Sequence, residues 1–416
     1  DIEKIRDDIS ISDARDVFSG ITAKCNFMQI FAIDESAMHI GEEAWEGLKQ
    51  LNAFLSDLTL DGIPQSTLRT ALEQTVVATQ RKGFGQFTTP DKLADLLVVL
   101  AVEKRHGNVL DPCCGTGTIA KSAYRLKRAK GQSPADALRT TWASDKFRLP
   151  LQLCTISLAE PEAIWNVVQV FESDVFDLIQ GNRIELIDPS DGSMVERELP
   201  RFDTIVSNLP FVRFETIAQF NPGAREAVSD RLSGKALDGR TDLFGYILVF
   251  LESLVNDEGQ IGLIVSNSWL GSMWGIELRA RLADVFHVET VVTSGSGRWF
   301  SNADVVGNLI ILSRKGASSG RTSFITTRRR LDEWDTDFIE RVFIADRSKK
   351  NHSDDDLNVR VYAQKDVDEI EKVIVGWSAF FADVSWVKSI SNFLVSASDY
   401  LEIGRGYRKG WNDMFY

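Results

Sequence analysis

Phe202-Asp-Thr-Ile-Val-Ser-Asn-Leu-Pro-Phe211 is an apolar run that ends in an amide, a proline and an aromatic ring. The β-branched residues Thr204, Ile205 and Val206 predict a buried strand, and Pro210 breaks it because proline has no N–H for a ladder. The chain must turn at the strand's carboxyl end, where Asn208 and Phe211 frame a pocket suited to a flat, polar nucleobase. About ninety residues upstream, Val109-Leu-Asp-Pro-Cys-Cys-Gly-Thr-Gly-Thr118 is a second strand, running into an acidic, glycine-rich turn. Open α/β sheets bind ligands at the carboxyl ends of their strands, and such a turn is the usual place for a nucleoside cofactor.

Between and beyond these stretches, helical and strand patterns alternate. Helices are predicted at Leu93–Glu103, Gly117–Lys130 and Leu149–Glu160, and strands at Asn108–Leu110, Thr141–Ser144 and Val167–Phe171. Alternation of this kind predicts a parallel sheet with helices on both faces. Residues 181–201 interrupt it with an inserted β-hairpin, in which Asp188-Pro-Ser-Asp191-Gly192 is the turn. The sheet then resumes with Thr204–Val206, a helix over Leu243–Val255, and strands at Gly262–Ser266, Thr290–Thr293 and Asn308–Ser313, the last two expected as an antiparallel pair. The fold class is therefore α/β, a Rossmann-like doubly wound sheet with an N-terminal helical flank. Residues 1–80 form that flank, read from the apolar spacing of Phe27–Phe31, Trp45–Leu58 and Leu68–Val77; residues 81–320 form the α/β domain, and 321–416 are an extension of weaker periodicity.

The 416 residues are 44% hydrophobic and 26% charged, as in an ordinary globular protein, and the apolar runs are far shorter than a membrane span. Asp1 follows no basic-then-apolar leader, so no secretion signal is expected and the expected location is cytoplasmic. Cys25, Cys113, Cys114 and Cys154 have no metal-ligand spacing, and four scattered histidines argue against a zinc site or a Ser-His-Asp triad. No metal is expected. A net charge of −13 means that any contact with nucleic-acid phosphates must use local basic patches. Candidates are Arg328-Arg329-Arg330, Arg347 with Lys349 and Lys350, and Arg405 to Lys409.

The first turn has the right chemistry for a nucleoside. Asp111 ends its strand, and Gly115 and Gly117 have no Cβ, so backbone amides there can approach a ligand closely. Asp145 and Asp174 follow the next two strands. A carboxylate after the second strand can accept from both ribose hydroxyls, and one after the third from an adenine amino group. The Gly-x-Gly-x-x-Gly spacing of nicotinamide enzymes is absent, because Cys113 occupies the first glycine position, and there is no Gly-Lys-Ser/Thr of a P-loop. Ahead of the turn, Gly85-Gln-Phe87-Thr88-Thr89-Pro90 opens a helix, with Thr89 expected as its cap and Pro90 in its first turn.

At the second turn, the Asn208 side-chain oxygen and the Leu209 carbonyl can each accept a hydrogen from an exocyclic amine. They would stabilise the positive charge that develops as such a nitrogen is alkylated. Pro210 would hold the carbonyl in place and Phe211 would stack on the base.

Taken together, these motifs resemble the N6-adenine DNA methyltransferases that use S-adenosylmethionine, the modification subunits or domains of restriction-modification systems. The resemblance runs from about Gly83 to Leu312 and returns in the tail Gly404–Tyr416. It implies that Phe87, Thr88 and Thr89 meet the methionine end of the cofactor and that Asp111, Pro112, Gly115 and Gly117 surround its backbone. Asp145 would hold its ribose and Asp174 its adenine, with Phe176 packing nearby. Asn208, Leu209, Pro210 and Phe211 correspond to the motif that takes a flipped adenine. Val212-Arg213 with Glu215, Thr241-Asp242-Leu-Phe244, and Gly262 to Asn267 with Trp269 match the family's downstream blocks. DNA is the implied partner, with specificity or restriction subunits beside it, and residues 321–416 would lead into a target-recognition region.

One position departs from the family pattern Asn-Pro-Pro-Tyr/Phe: Leu209 replaces the first proline. Its carbonyl survives, but the loop gains an N–H and backbone freedom, which would either loosen the geometry of attack or mark a catalytically weakened subunit. The alternatives are a methyltransferase of the same fold acting on RNA or protein glutamine, and a non-catalytic subunit that binds DNA or cofactor. The Thr-Pro segment upstream and Val-Arg-x-Glu downstream favour DNA methylation.

Overall fold

The computed structural model describes residues 88–402, apart from 105, 159–160, 164, 230–231, 233–236, 301–305 and 396, together with scattered positions between 10 and 50. Short helical pieces between 12 and 50 fall in the expected N-terminal helical region. Phe27–Phe31, Leu68–Val77, Phe87 and the tail from 403 onward lie outside the described residues.

The strands are β1 (Val109–Asp111), β2 (Thr141–Asp145), β3 (Gln169–Glu172), β4 (Arg183–Ile187), β5 (Met194–Glu198), β6 (Phe202–Asn208), β7 (Val255–Ser266), β8 (Phe286–Ser294), β9 (Gly307–Arg314), β10 (Arg321–Thr327), β11 (His352–Ser353) and β12 (Leu357–Ala363). The principal helices are α1 (Asp91–Ala101), α2 (Thr118–Ala129), α3 (Pro134–Arg139), α4 (Arg148–Leu158), α5 (Leu243–Leu251), α6 (Met273–Leu282), α7 (Thr336–Ser348) and α8 (Gln364–Glu371). Among the described residues, ten strands form one sheet in the order β11-β12-β10-β8-β9-β7-β6-β1-β2-β3, and β4 and β5 form the inserted antiparallel hairpin. This is a mixed α/β fold with a central sheet and flanking helices.

Neighbours from β3 to β7 are parallel, whereas β9 runs antiparallel to both β7 and β8. The chain winds from β1 outward through β2 to β3, then returns to lay β6 on the other side of β1. The order of winding therefore reverses between β1 and β6, which leaves a crevice at their carboxyl ends.

Strand pleating explains the burial of both faces. Along β7 and β9, Ile261, Leu263, Val265, Ile310 and Leu312 pack with α5, α6 and α8 on one face. The intervening Ile264, Leu309 and Ile311 pack with α1 and α7 on the other. A third apolar cluster, with Tyr124, Leu151, Cys154 and Leu158, joins α2 to α4 beside β2 and β3.

Several expectations need adjustment. The helix expected to reach Val255 stops at Leu251, because Val255 already pairs with Phe202 at the start of β7. Strand β7 is longer than expected, since its polar stretch Asn256–Gln260 carries no apolar signal. Helix α3 was not expected; Ser133 caps it by accepting from the Asp136 N–H. The weaker periodicity beyond Gly320 does not end the sheet, because β10 pairs in parallel with β8 and β12 runs antiparallel to β10.

Candidate active site

The carboxyl ends of β1, β2, β3 and β6 open into one cleft. Thr88, Thr89, Pro112, Gly115, Asp145, Asp174, Asn208, Leu209, Pro210 and Phe211, all picked out in the sequence, line it. Asp111, Gly117 and Phe176 are not among the lining residues.

Asp111 sits behind the wall, almost fully buried. Its Oδ1 accepts from Ser207 Oγ at 2.7 Å and from the Cys113 N–H at 3.4 Å, which ties the end of β1 to the end of β6. Burial pushes its pKa from 3.8 up to about 7, with the Ser207 bond opposing the rise. Its other oxygen, Oδ2, is buried and meets no hydrogen-bond donor among the described residues. Such an orphaned acceptor needs a donor from outside.

The glycines of the turn divide the work. Gly117 has φ +84, and a Cβ there would lie 2.6 Å from Cys154 Sγ and 2.9 Å from Cys154 Cα, so only glycine lets α2 pack on α4. Gly115, with φ +51, has nothing within 4 Å of where a Cβ would stand. It leaves open a cradle that a side chain would fill. The Gly115 N–H donates to Asp145 Oδ2 at 3.0 Å, and the Phe147 N–H to Asp145 Oδ1 at 3.0 Å. Asp145 is thus held by both oxygens while each keeps further acceptor capacity; its burial raises its pKa.

Asp174 accepts from the Phe176 N–H at 3.1 Å. The Phe176 ring packs edge-on against Phe250, with centroids 5.3 Å apart, and so supports the wall from behind. Three acids after three strands, an open glycine cradle and an orphaned buried carboxylate oxygen fit a nucleoside cofactor.

Opposite them, Asn208 Nδ2 donates to Thr89 Oγ1 at 3.0 Å. Thr89 therefore does not cap α1: the cap position is Pro90, with no side-chain bond. The loosening expected at Leu209 is not what the structure shows. Its N–H donates to the Ile264 carbonyl at 3.1 Å, one step beyond the Asn208–Ile264 pair, and its side chain is buried in the core. The added donor has become another β6–β7 hydrogen bond. Phe211 meets Phe300 edge-on at 5.5 Å. Asp242 braces the loop that follows, accepting from the Phe214 N–H at 3.3 Å and from Ser268 Oγ at 2.9 Å.

Sequence reading missed Lys146, Phe147, Phe220, Asn221, Leu243 and Ile247, which also line the cleft. The four-residue spacing of Leu243 and Ile247 would place both on one face of a helix, but in a wholly apolar helix nothing marked them out. The candidate basic patches are largely engaged internally. Arg329 pairs with Asp356 through two bonds of 2.8 Å, Arg330 with Asp332, and Arg347 with Glu103. Lys349 donates to Asp346, Ser323 and the Glu289 carbonyl. Arg405 to Lys409 lie outside the described residues. Among the described residues, no group of three His, Cys, Asp or Glu side chains could hold a metal ion, and no helix is long and apolar enough to cross a membrane.

The fold and cleft define a methyltransferase-like α/β protein. The chain belongs to the N-6 DNA methylase family, whose model matches residues 71–406. It is 25% identical over 239 residues to the Type II methyltransferase M.BanIII of Aneurinibacillus aneurinilyticus, covering 54% of this chain and 37% of that protein. The matched segment thus spans little more than a third of that relative. In fold, it is similar to the methyltransferase subunit of a type I restriction-modification system from Streptococcus thermophilus, with a TM-score of 0.64 and 16% identity over 89% of this chain and 77% of the other. The type IIG restriction endonuclease BpuSI aligns with a TM-score of 0.57 and 17% identity, over 89% of this chain and 42% of its own.

Proposed function

We propose that this chain transfers a methyl group from S-adenosylmethionine to the N6 amino group of an adenine flipped out of DNA. It would do so in the cytoplasm, as the modification component of a restriction-modification or related defence system. The observation that carries this reading is the Asn208–Thr89 bond, which holds the Asn208 amide in the same cleft as Asp145 and Asp174. On this reading the Rossmann-like domain begins near residue 81 and the catalytic residues lie within 81–320. Residues 321–416 lead toward target recognition, with specificity or restriction subunits as partners.

S-adenosylmethionine, when bound, supplies an electrophilic methyl group on a sulfonium. The chain's own groups do the rest. Asp145 would hold the ribose hydroxyls and Asp174 the purine amine, and Gly115 with Thr88, Thr89 and Pro112 would hold the cofactor's backbone. With Nδ2 committed to Thr89, Asn208 presents Oδ1 to the adenine N6, and the Leu209 carbonyl is the second acceptor. Both would stabilise the positive charge that develops on the nitrogen as it takes the methyl group, while the S–C bond breaks, a neutral thioether leaves and the N6 proton is then lost to solvent. No side-chain base must act first, because the proton becomes acidic only after the nitrogen is alkylated.

Asn208→Ala and Asp145→Ala test these assignments. The first should abolish transfer and leave cofactor binding nearly intact; the second should weaken cofactor binding first. Equal loss of both functions in Asn208→Ala contradicts the assigned roles. RNA or protein glutamine as acceptor would appear in the product analysis as methylated RNA or methylated glutamine.

A further inference from the structure

Asn221 follows the short helical turn Ile217–Phe220, in the connection between the Asn208–Phe211 turn and α5. It reaches across the cleft to the far strand end. Its Nδ2 donates to both oxygens of Asp174, at 3.4 Å to Oδ1 and 3.1 Å to Oδ2. One residue earlier, the Phe220 carbonyl accepts from Lys146 Nζ at 3.1 Å, and Lys146 directly follows Asp145 at the end of β2. Phe220, Asn221, Lys146 and Asp174 all line the cleft. Three hydrogen bonds, two from Asn221 and one from Lys146, therefore fasten this connection to the ends of β2 and β3.

We infer that Phe220–Asn221 is a clasp over the nucleoside end of the cleft, and that Asn221 is a positioning residue that sets the purine preference of Asp174. This rests on the cofactor reading above and deepens it. A carboxylate free to rotate discriminates poorly between a purine bearing a 6-amino donor and one bearing a 6-oxo acceptor. Asp174 is instead held by the Phe176 N–H on Oδ1 and by Asn221 on both oxygens. Its remaining lone pairs then point in fixed directions, which favours a donor and repels an acceptor. Phe220 brings an aromatic wall to the same end, fastened through its own carbonyl.

The test is calorimetric binding of S-adenosylhomocysteine and its 6-oxo counterpart, S-inosylhomocysteine, to the whole protein and to Asn221→Ala, Asp174→Ala and the double variant. Wild type should prefer the 6-amino ligand by roughly tenfold to hundredfold, the range of one hydrogen bond to a charged group. Asn221→Ala should lose most of that preference, and adding it to Asp174→Ala should change little more, because Asn221 acts through Asp174. Restoration of the preference by Asn221→Gln would support the same conclusion. If Asn221→Ala weakens both ligands equally, or neither, its role is not purine selection and the inference falls while the cofactor reading stands. If wild type binds neither ligand, both fall together.

Discussion

Asn208 Nδ2 and Thr89 Oγ1 lie 3.0 Å apart, although 119 residues separate them in the chain. The bond joins the segment before α1 to the amide at the end of β6, and it fixes which way that amide faces. Thr89→Val keeps the shape and removes the acceptor. Transfer at saturating cofactor should slow by roughly tenfold to hundredfold, as expected when a reacting geometry is slightly misplaced. Thr89→Ser should recover most of the rate. Single-turnover kinetics measure both, and a wild-type rate in Thr89→Val would show that the bond does not orient the amide.

Leu209 stands where the family pattern has proline, and its N–H is spent on Ile264. Leu209→Pro removes that bond and a buried side chain. It should cost roughly 1–3 kcal/mol of stability in urea unfolding while leaving the transfer rate near wild type. A large gain in rate without loss of stability would mean that the loop is loose in the native protein.

The two glycines of the β1–α2 turn should respond differently to alanine. Gly117→Ala drives a methyl group into Cys154 and should destabilise the protein by roughly 2–4 kcal/mol. Gly115→Ala meets no neighbour, so its stability loss should be near the ~1–2 kcal/mol of a left-handed backbone alone. Its larger effect should be on binding of S-adenosylhomocysteine. Thermal unfolding and calorimetry separate the two, and tight binding by Gly115→Ala would remove the cradle from the account.

Burial raises Asp111 from 3.8 to about 7. The folded protein holds this proton more tightly than the unfolded chain, so the stability it contributes is complete below 3.8 and is lost as the pH rises through 7. Asp111→Asn, which can still accept from Ser207, should therefore be more stable than wild type in mildly alkaline buffer. That advantage should vanish in acid. The difference between the two proteins cancels other groups near neutrality, such as Lys127, which burial lowers to about 7. Urea midpoints across this range check it, and a constant difference would show that Asp111 does not titrate there.

The strands and acids of the cleft were legible because each follows an apolar run with a sharp end: Asp111, Asp145 and Asp174 all close or follow β1, β2 and β3. The inserted hairpin was legible from Asp191-Gly192. The length of β7 and the sheet beyond Gly320 were not, since polar residues such as Asn256 and Gln260 take strand geometry from their neighbours rather than from their own preference. Asn221 was invisible for another reason. Its importance comes from reaching Asp174 across the cleft, and no local pattern encodes that. Nor could sequence show that the Leu209 N–H has a partner, because Ile264 lies on a different strand. Thr89 was misread as a cap since Thr-Pro before a helix is the ordinary capping signature, and its hydroxyl is claimed instead by Asn208.

The most direct test is transfer of labelled methyl from S-adenosylmethionine to unmodified DNA by the full-length protein, followed by nucleoside analysis. The account predicts label in N6-methyladenine, and its loss in Asn208→Ala. Label in a different nucleoside, or none despite measurable binding of the cofactor, would contradict it.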